Sequence, residues 1–166
     1  MLRHLLSAIA CVLLLALGAC ESYDFKVNDK VVYSPQPLFK DFDAADTALR
    51  TCLEQAIIDG PVYTADQLSS LNCSHGGIQN LDGLSTFTAI KTLRLSSNQV
   101  RNLVELGAIS TLEELYLDNN LVIDPVPLYQ LQALHFVDLS GNPKLQCPNR
   151  EGFARVETVI LPAHCR

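Results

Sequence analysis

The sequence predicts an α/β solenoid: a short stack of coils, each giving one strand to a parallel sheet, behind an N-terminal helical cap. Three observations predict it. Apolar triplets restart every 22 residues, at positions 68, 90, 112, 134 and 156. An asparagine returns at one fixed place in three of these units, as Asn98, Asn120 and Asn142. Ahead of the first unit the apolar spacing is three and four, the period of a helix rather than a strand.

Length and composition are compatible with this. A chain of 166 residues makes one domain of this kind, not two. A hydrophobic share of 48% with 18% charged residues rules out wholesale disorder. Twelve Lys and Arg against eighteen Asp and Glu give a formal charge of −6. That balance argues against a nucleic-acid partner, which would require a basic stripe.

The first residues form an address. Arg3 precedes an uncharged, mainly apolar run from Leu5 to Leu17. The run is short of the ~20 residues that a permanent membrane span needs, and it matches the core of a secretory signal. Leu17-Gly18-Ala19-Cys20 then resembles the lipobox of bacterial lipoproteins. The resemblance implies a signal peptide over residues 1–19, cleavage before Cys20, and acylation of Cys20, whose lipid holds the new N-terminus in a membrane. Glu21 stands where an Asp would favour inner-membrane retention. The resemblance therefore implies a cell-envelope protein of the outer membrane, in its periplasmic leaflet or at the cell surface. An ordinary cleaved signal or a lone anchor helix is the alternative. With Arg3 removed the mature charge becomes −7, so tethering would fall to the lipid and not to anionic headgroups.

Residues 20–39 read as a tether. Ser34-Pro35-Gln36-Pro37 breaks any regular element, which leaves room for a short strand at Lys30–Tyr33. Residues 40–67 read as the helical cap. Phe42, Ala45, Leu49, Cys52, Leu53, Ala56 and Ile57 share one helix face. Asp41 or Asp43 is expected to cap its start, and Gly60-Pro61 to end it. Thr64 and Gln67 form a capping box for a further short turn.

Residues 68–166 hold the repeats. Their openings align as Leu68-Ser-Ser-Leu71-Asn-Cys73, Ile90-Lys-Thr-Leu93-Arg-Leu95, Leu112-Glu-Glu-Leu115-Tyr-Leu117, Leu134-His-Phe-Val137-Asp-Leu139 and Val156-Glu-Thr-Val159-Ile-Leu161. With Asn at the ninth position and Ile78, Val100 and Val122 at the eleventh, the pattern resembles the leucine-rich repeat in its 22-residue, internalin-type form. The resemblance implies a short right-handed leucine-rich-repeat solenoid with a parallel concave sheet and a cap at each end. One coil cannot bury its own leucines, so successive coils must stack into a continuous core. The ninth-position amide is expected to satisfy backbone groups buried where the chain leaves the strand. The first unit has Gly76 in place of that Asn, and the fourth loses its period after Asn142. Both departures suit terminal units.

Apart from Cys11 and Cys20, four cysteines remain, which allow three pairings. Cys52 lies on the helix face and Cys73 points inward from the first strand, while Cys147 and Cys165 flank the last coil. The expected bonds are Cys52–Cys73 and Cys147–Cys165, one staple at each end, in an oxidising compartment. The C-terminal cap is thus expected to be disulfide-stapled. A metal site is disfavoured, since there is no C-x-x-C pair or His cluster.

No constellation for catalysis is found: there is no G-x-S-x-G elbow, Walker loop, H-E-x-x-H or dinucleotide glycine pattern. The expectation is a protein that is not an enzyme and needs no cofactor. What the repeats supply is a surface. Outward strand positions place Tyr116 and Phe136 beside Arg94, Glu114 and Asp138, an aromatic pair ringed by charge of the kind that anchors protein contacts. Internal pairing of Arg94 with Glu114 or Asp138 is the plainer reading of the same residues. Two functions stay open: a module that binds a protein or peptide on its concave face, or a passive structural lipoprotein of the envelope without a dedicated ligand. Four to five coils offer less than the ~800 Å² per partner of a standard interface.

Overall fold

A computed structural model describes residues 25–28, 30–34, 36–149 and 151–165. The expected signal peptide and Cys20 lie outside these residues. Among the described residues, no helix is long and apolar enough to cross a membrane.

The chain divides into two compact units, residues 1–37 and 38–166. In the first, β1 (Phe25–Val27) pairs antiparallel with β2 (Lys30–Tyr33). Only the second of these strands is expected from the sequence. The turn between them uses Asn28 at φ 51°, a left-handed conformation that asparagine tolerates better than most residues.

The second unit starts earlier than the cap boundary at residue 40 suggests. Leu38 and Phe39 pack against the core, and the Phe39 N–H donates to the Val62 carbonyl at 2.9 Å. Phe39, Phe42 and Phe87 form an aromatic cluster with centroids 5.4–6.1 Å apart. It joins the segment before the helix to the first coil.

Helix α1 spans Thr47–Asp59 and buries Leu49, Leu53 and Ile57. Its cap is Asp46, not Asp41 or Asp43. Ala45, expected on the apolar face, is exposed ahead of the helix, and Ala44 is buried instead. The reason is tertiary. Oδ1 of Asp46 accepts from the N–H groups of Ala48 and Leu49, while Oδ2 accepts from Gln79 at 2.8 Å and Asn80 at 3.0 Å in the first coil. Asp43 is occupied elsewhere, paired with Arg50 at 2.7 Å. Burial alone would raise the Asp46 pKa, but the four backbone donors outweigh it and hold the carboxyl below its ordinary 3.8. Close by, Gly83 adopts φ 92°, and a Cβ there would lie 1.8 Å from the Asp43 carbonyl oxygen. The helix ends at Gly60, and the short turn Ala65–Gln67 follows, with Gln67 Oε1 accepting from the Tyr63 and Thr64 N–H groups.

The repeats form one parallel sheet in chain order: β3 (Ser70–Asn72), β4 (Thr92–Arg94), β5 (Glu114–Tyr116), β6 (Phe136–Asp138) and β7 (Thr158–Ile160). Leu71, Leu93, Leu115, Val137 and Val159 stand in register as one row. The first four are buried, and Val159 in the last strand is partly covered. The first three return legs each carry a 3₁₀ turn, over Leu84–Thr86, Val104–Ala108 and Val126–Gln130. Leu84, Leu106 and Leu128 point from these turns into the core.

The ninth-position asparagines form a ladder. Asn120 Oδ1 accepts from the Val100 N–H at 2.9 Å, and its Nδ2 donates to Leu95 O at 2.8 Å and Leu117 O at 3.2 Å. Asn98 and Asn142 repeat this scheme one coil earlier and one coil later. Each amide therefore serves its own coil and the one before it. Just ahead of the ladder, His75, Ser97, Asn119 and Gly141 all take left-handed φ values of 55–68°. The eighth position thus turns each of the first four coils sharply off the sheet, a regularity hidden by four different residue types.

The ends are built differently. Cys52–Cys73 joins α1 to the first coil, with Cα atoms 5.8 Å apart, and Cys147–Cys165 closes the last, at 5.2 Å. After Asn142, Leu145 and Phe153 fill the end of the core, and Tyr129 meets Phe153 edge-on at 5.0 Å.

Candidate functional site

Strand alternation sets this site. With Leu93, Leu115 and Val137 facing inward, the residues on either side of each must face outward. Register then aligns two outward rows. One runs Ser70, Thr92, Glu114, Phe136, Thr158, and the other Asn72, Arg94, Tyr116, Asp138, Ile160. Arg94, Glu114, Tyr116, Phe136 and Asp138 thus come together on three adjacent strands, all of them half-buried.

Their contacts differ from simple ion pairing. The Arg94 guanidinium carbon lies 3.9 Å from the Tyr116 ring centroid, a cation–π contact. On its other flank, Tyr116 meets Phe136 with centroids 4.8 Å apart and planes inclined at 36°. Arg94, Tyr116 and Phe136 therefore form one stack across β4, β5 and β6. Arg94 pairs with neither Glu114 nor Asp138. Glu114 accepts from the Tyr116 hydroxyl at 3.2 Å, and Asp138 accepts from the Ser140 N–H at 2.9 Å.

Asp118, at the outward seventh position of its repeat, completes the acidic side of this face. It accepts from the Ser96 hydroxyl at 2.5 Å and from the Asn119 side-chain amide at 2.9 Å. Ser96 and Asp118 both occupy the seventh position of their repeats, so register alone brings them side by side. Toward the N-terminal end the face changes character. An open groove of about 870 Å³ lies between α1 and β3, lined by Thr47, Thr51, Gln55, Ser70, Asn72 and Ser74 together with the bonded Cys52 and Cys73. Its lining is neutral apart from Asp59. Nothing in the local sequence links Thr51 to Ser70. Docking of the helix does.

Two titrating groups with shifted pKa belong to other parts of the molecule. Asp46 caps α1, and Tyr129 in a return leg is raised, first by burial and then by the charge of Asp124. Among the described residues one cluster has metal-ligand geometry: Cys147, His164 and Cys165, with ligand atoms within 4.8 Å of one another. Its sulfurs are bonded to each other, and His164 Nε2 sits 3.0 Å from Leu145 O, so the cluster is part of the C-terminal cap. His75, His135 and His164 stand in different coils.

Comparison with solved structures bears on this architecture. The fold is that of an internalin-type leucine-rich-repeat solenoid. An internalin (inlF) from Listeria monocytogenes superposes with a TM-score of 0.63 at 18% identity, over 71% of this chain and 36% of the internalin. Internalin C2 from the same organism gives 0.61 at 20% identity, over 69% of this chain and 53% of the other. The chain thus spans about a third to a half of the length of these neighbours. No family model matches the sequence, and no curated protein does.

Proposed function

We propose that this chain is a binding module of a bacterial cell envelope: a lipoprotein, acylated at Cys20, that holds a protein or peptide on its concave face and has no enzymatic activity. The observation that carries the reading is the Arg94–Tyr116–Phe136 stack. Stacking immobilises three large side chains before any partner arrives, so little side-chain entropy remains to be lost on binding. Aromatic and arginine anchors of this sort dominate protein interfaces. The leucine-rich-repeat scaffold does not itself dictate a ligand, so the argument rests on the face and not on the fold. Membrane attachment rests on the Leu17-Gly18-Ala19-Cys20 motif. The outer membrane is the proposed address because Glu21 follows the cysteine.

Site-specific photocrosslinking in intact cells tests the binding face. A photoreactive residue at Tyr116 or Phe136 should give discrete protein adducts, and the same residue at exposed Val126 in a return leg should not. The same adducts from both places would sink the concave-face assignment. For the anchor, Cys20→Ser or globomycin treatment should remove the diacylglyceryl and acyl mass. An unchanged mature mass would refute lipidation.

A further inference from the structure

We infer that the concave face recognises a carboxylate of its peptide partner, received by the guanidinium of Arg94. This rests on the binding-face reading above and names the group that the face selects. The protein is acidic overall, so the first expectation would be a basic partner. The contacts point the other way. Each carboxylate on the face already has an internal donor: Glu114 from Tyr116, Asp118 from Ser96 and Asn119, Asp138 from Ser140. Among the described residues, the Arg94 guanidinium makes the stack on Tyr116 and no hydrogen bond or ion pair. Among the described residues, the other unpaired Lys and Arg side chains of this unit, Lys40, Arg101, Lys144 and Arg155, are exposed. Among these described bases Arg94 alone is half-buried, held in place against an aromatic face, and left with its planar fork of donors unfilled.

That fork matches a carboxylate bidentately. A doubly charged phosphate would meet about twice the repulsion from Glu114, Asp118 and Asp138 that a carboxylate meets. The neighbouring side chains suit a peptide backbone. Ser70 and Thr92 hydroxyls and the Asn72 Nδ2 flank Arg94 and make no hydrogen bonds among the described residues. On the opposite side, Tyr116 and Phe136 offer apolar ring edges one and two strands away, about 5 and 10 Å. The occupant is therefore an extended peptide segment bearing a side-chain or C-terminal carboxylate, with an apolar residue beside it.

The test is a double-mutant cycle on selected peptides. A random dodecapeptide phage library is panned on the purified protein and counter-panned on the Tyr116→Ala/Phe136→Ala variant. The best clone is then synthesised with its acidic residue and with the matching amide. Removing the acid should weaken binding to wild type about tenfold or more, the usual size of one charge-assisted contact, and should change little on Arg94→Gln. Acetate should compete better than inorganic phosphate at equal ionic strength. If selected peptides lack acids, if the acid and Arg94 are uncoupled, or if phosphate competes better, the carboxylate assignment falls while the binding face stands. If no clone distinguishes wild type from the double-alanine variant, the peptide-binding face falls and this inference with it. An unchanged melting curve for Arg94→Gln ensures that the cycle reads recognition and not folding.

Discussion

The middle coils and the two ends of this solenoid meet the same physical demand by different means. Between Leu93 and Leu139, each coil is covered on both sides by a near-copy of itself, and no covalent bond joins coils there. Burial of aligned leucines and an asparagine ladder suffice. At the ends there is no next coil. The chain turns instead to a helix and three phenylalanines on one side, to Leu145, Phe153 and Tyr129 on the other, and to one disulfide at each. Repetition solves packing only where a neighbour exists, so an end requires its own side chains and its own staple.

The comparison can be broken from the middle first. Leu115→Ala removes a fully buried side chain with coils on both sides that cannot collapse around it, and should cost about 2–5 kcal/mol in urea unfolding. A loss below 1 kcal/mol would mean that the middle coils are not rigidly stacked. Breaking an end comes next. The Cys52→Ser/Cys73→Ser and Cys147→Ser/Cys165→Ser pairs should each lose roughly 3 kcal/mol, since they close loops of similar length. Hydrogen exchange should show the loss concentrated in the coil next to the missing bond.

The ladder is a smaller effect. Asn120→Leu leaves the Val100 N–H without its partner and takes a donor from Leu95 O, at about 1–3 kcal/mol for each group left unsatisfied. An Asn120→Leu protein that melts like the parent would refute the ladder as a stabilising device. The smallest effect sharpens the cap. Asp46→Ala should cost about 0.5–2 kcal/mol at neutral pH, the usual range for a lost helix cap. Because the folded pKa lies below 3.8, the carboxylate's contribution is complete above that value and is lost as pH falls through the folded pKa. Melting curves of wild type and Asp46→Ala should therefore converge in acid. A constant gap would assign the loss to something other than charge.

These expectations show which features were legible in the sequence. The strand row was, because Leu71, Leu93, Leu115 and Val137 recur at equal intervals and a parallel sheet preserves intervals as register. Which side chains share the outward face was legible for the same reason. Its internal contacts were not. Whether Arg94 pairs with an acid or lies on a ring depends on side-chain directions across three strands. The cap residue was hidden as well: Asp41, Asp43 and Asp46 are chemically equal candidates until Gln79 and Asn80 arrive as donors.

By itself the sequence determined the periodic part of this protein: coil length, the buried row, the asparagine positions and the outward rows, all of which follow from equal spacing along the chain. Tertiary structure alone decided the aperiodic part: the start of α1, the packing of Phe39, the groove between α1 and β3, and the stack that leaves Arg94 unpaired. Spacing propagates only between like units. Contacts between unlike ones form from groups distant in sequence, and no local pattern records them.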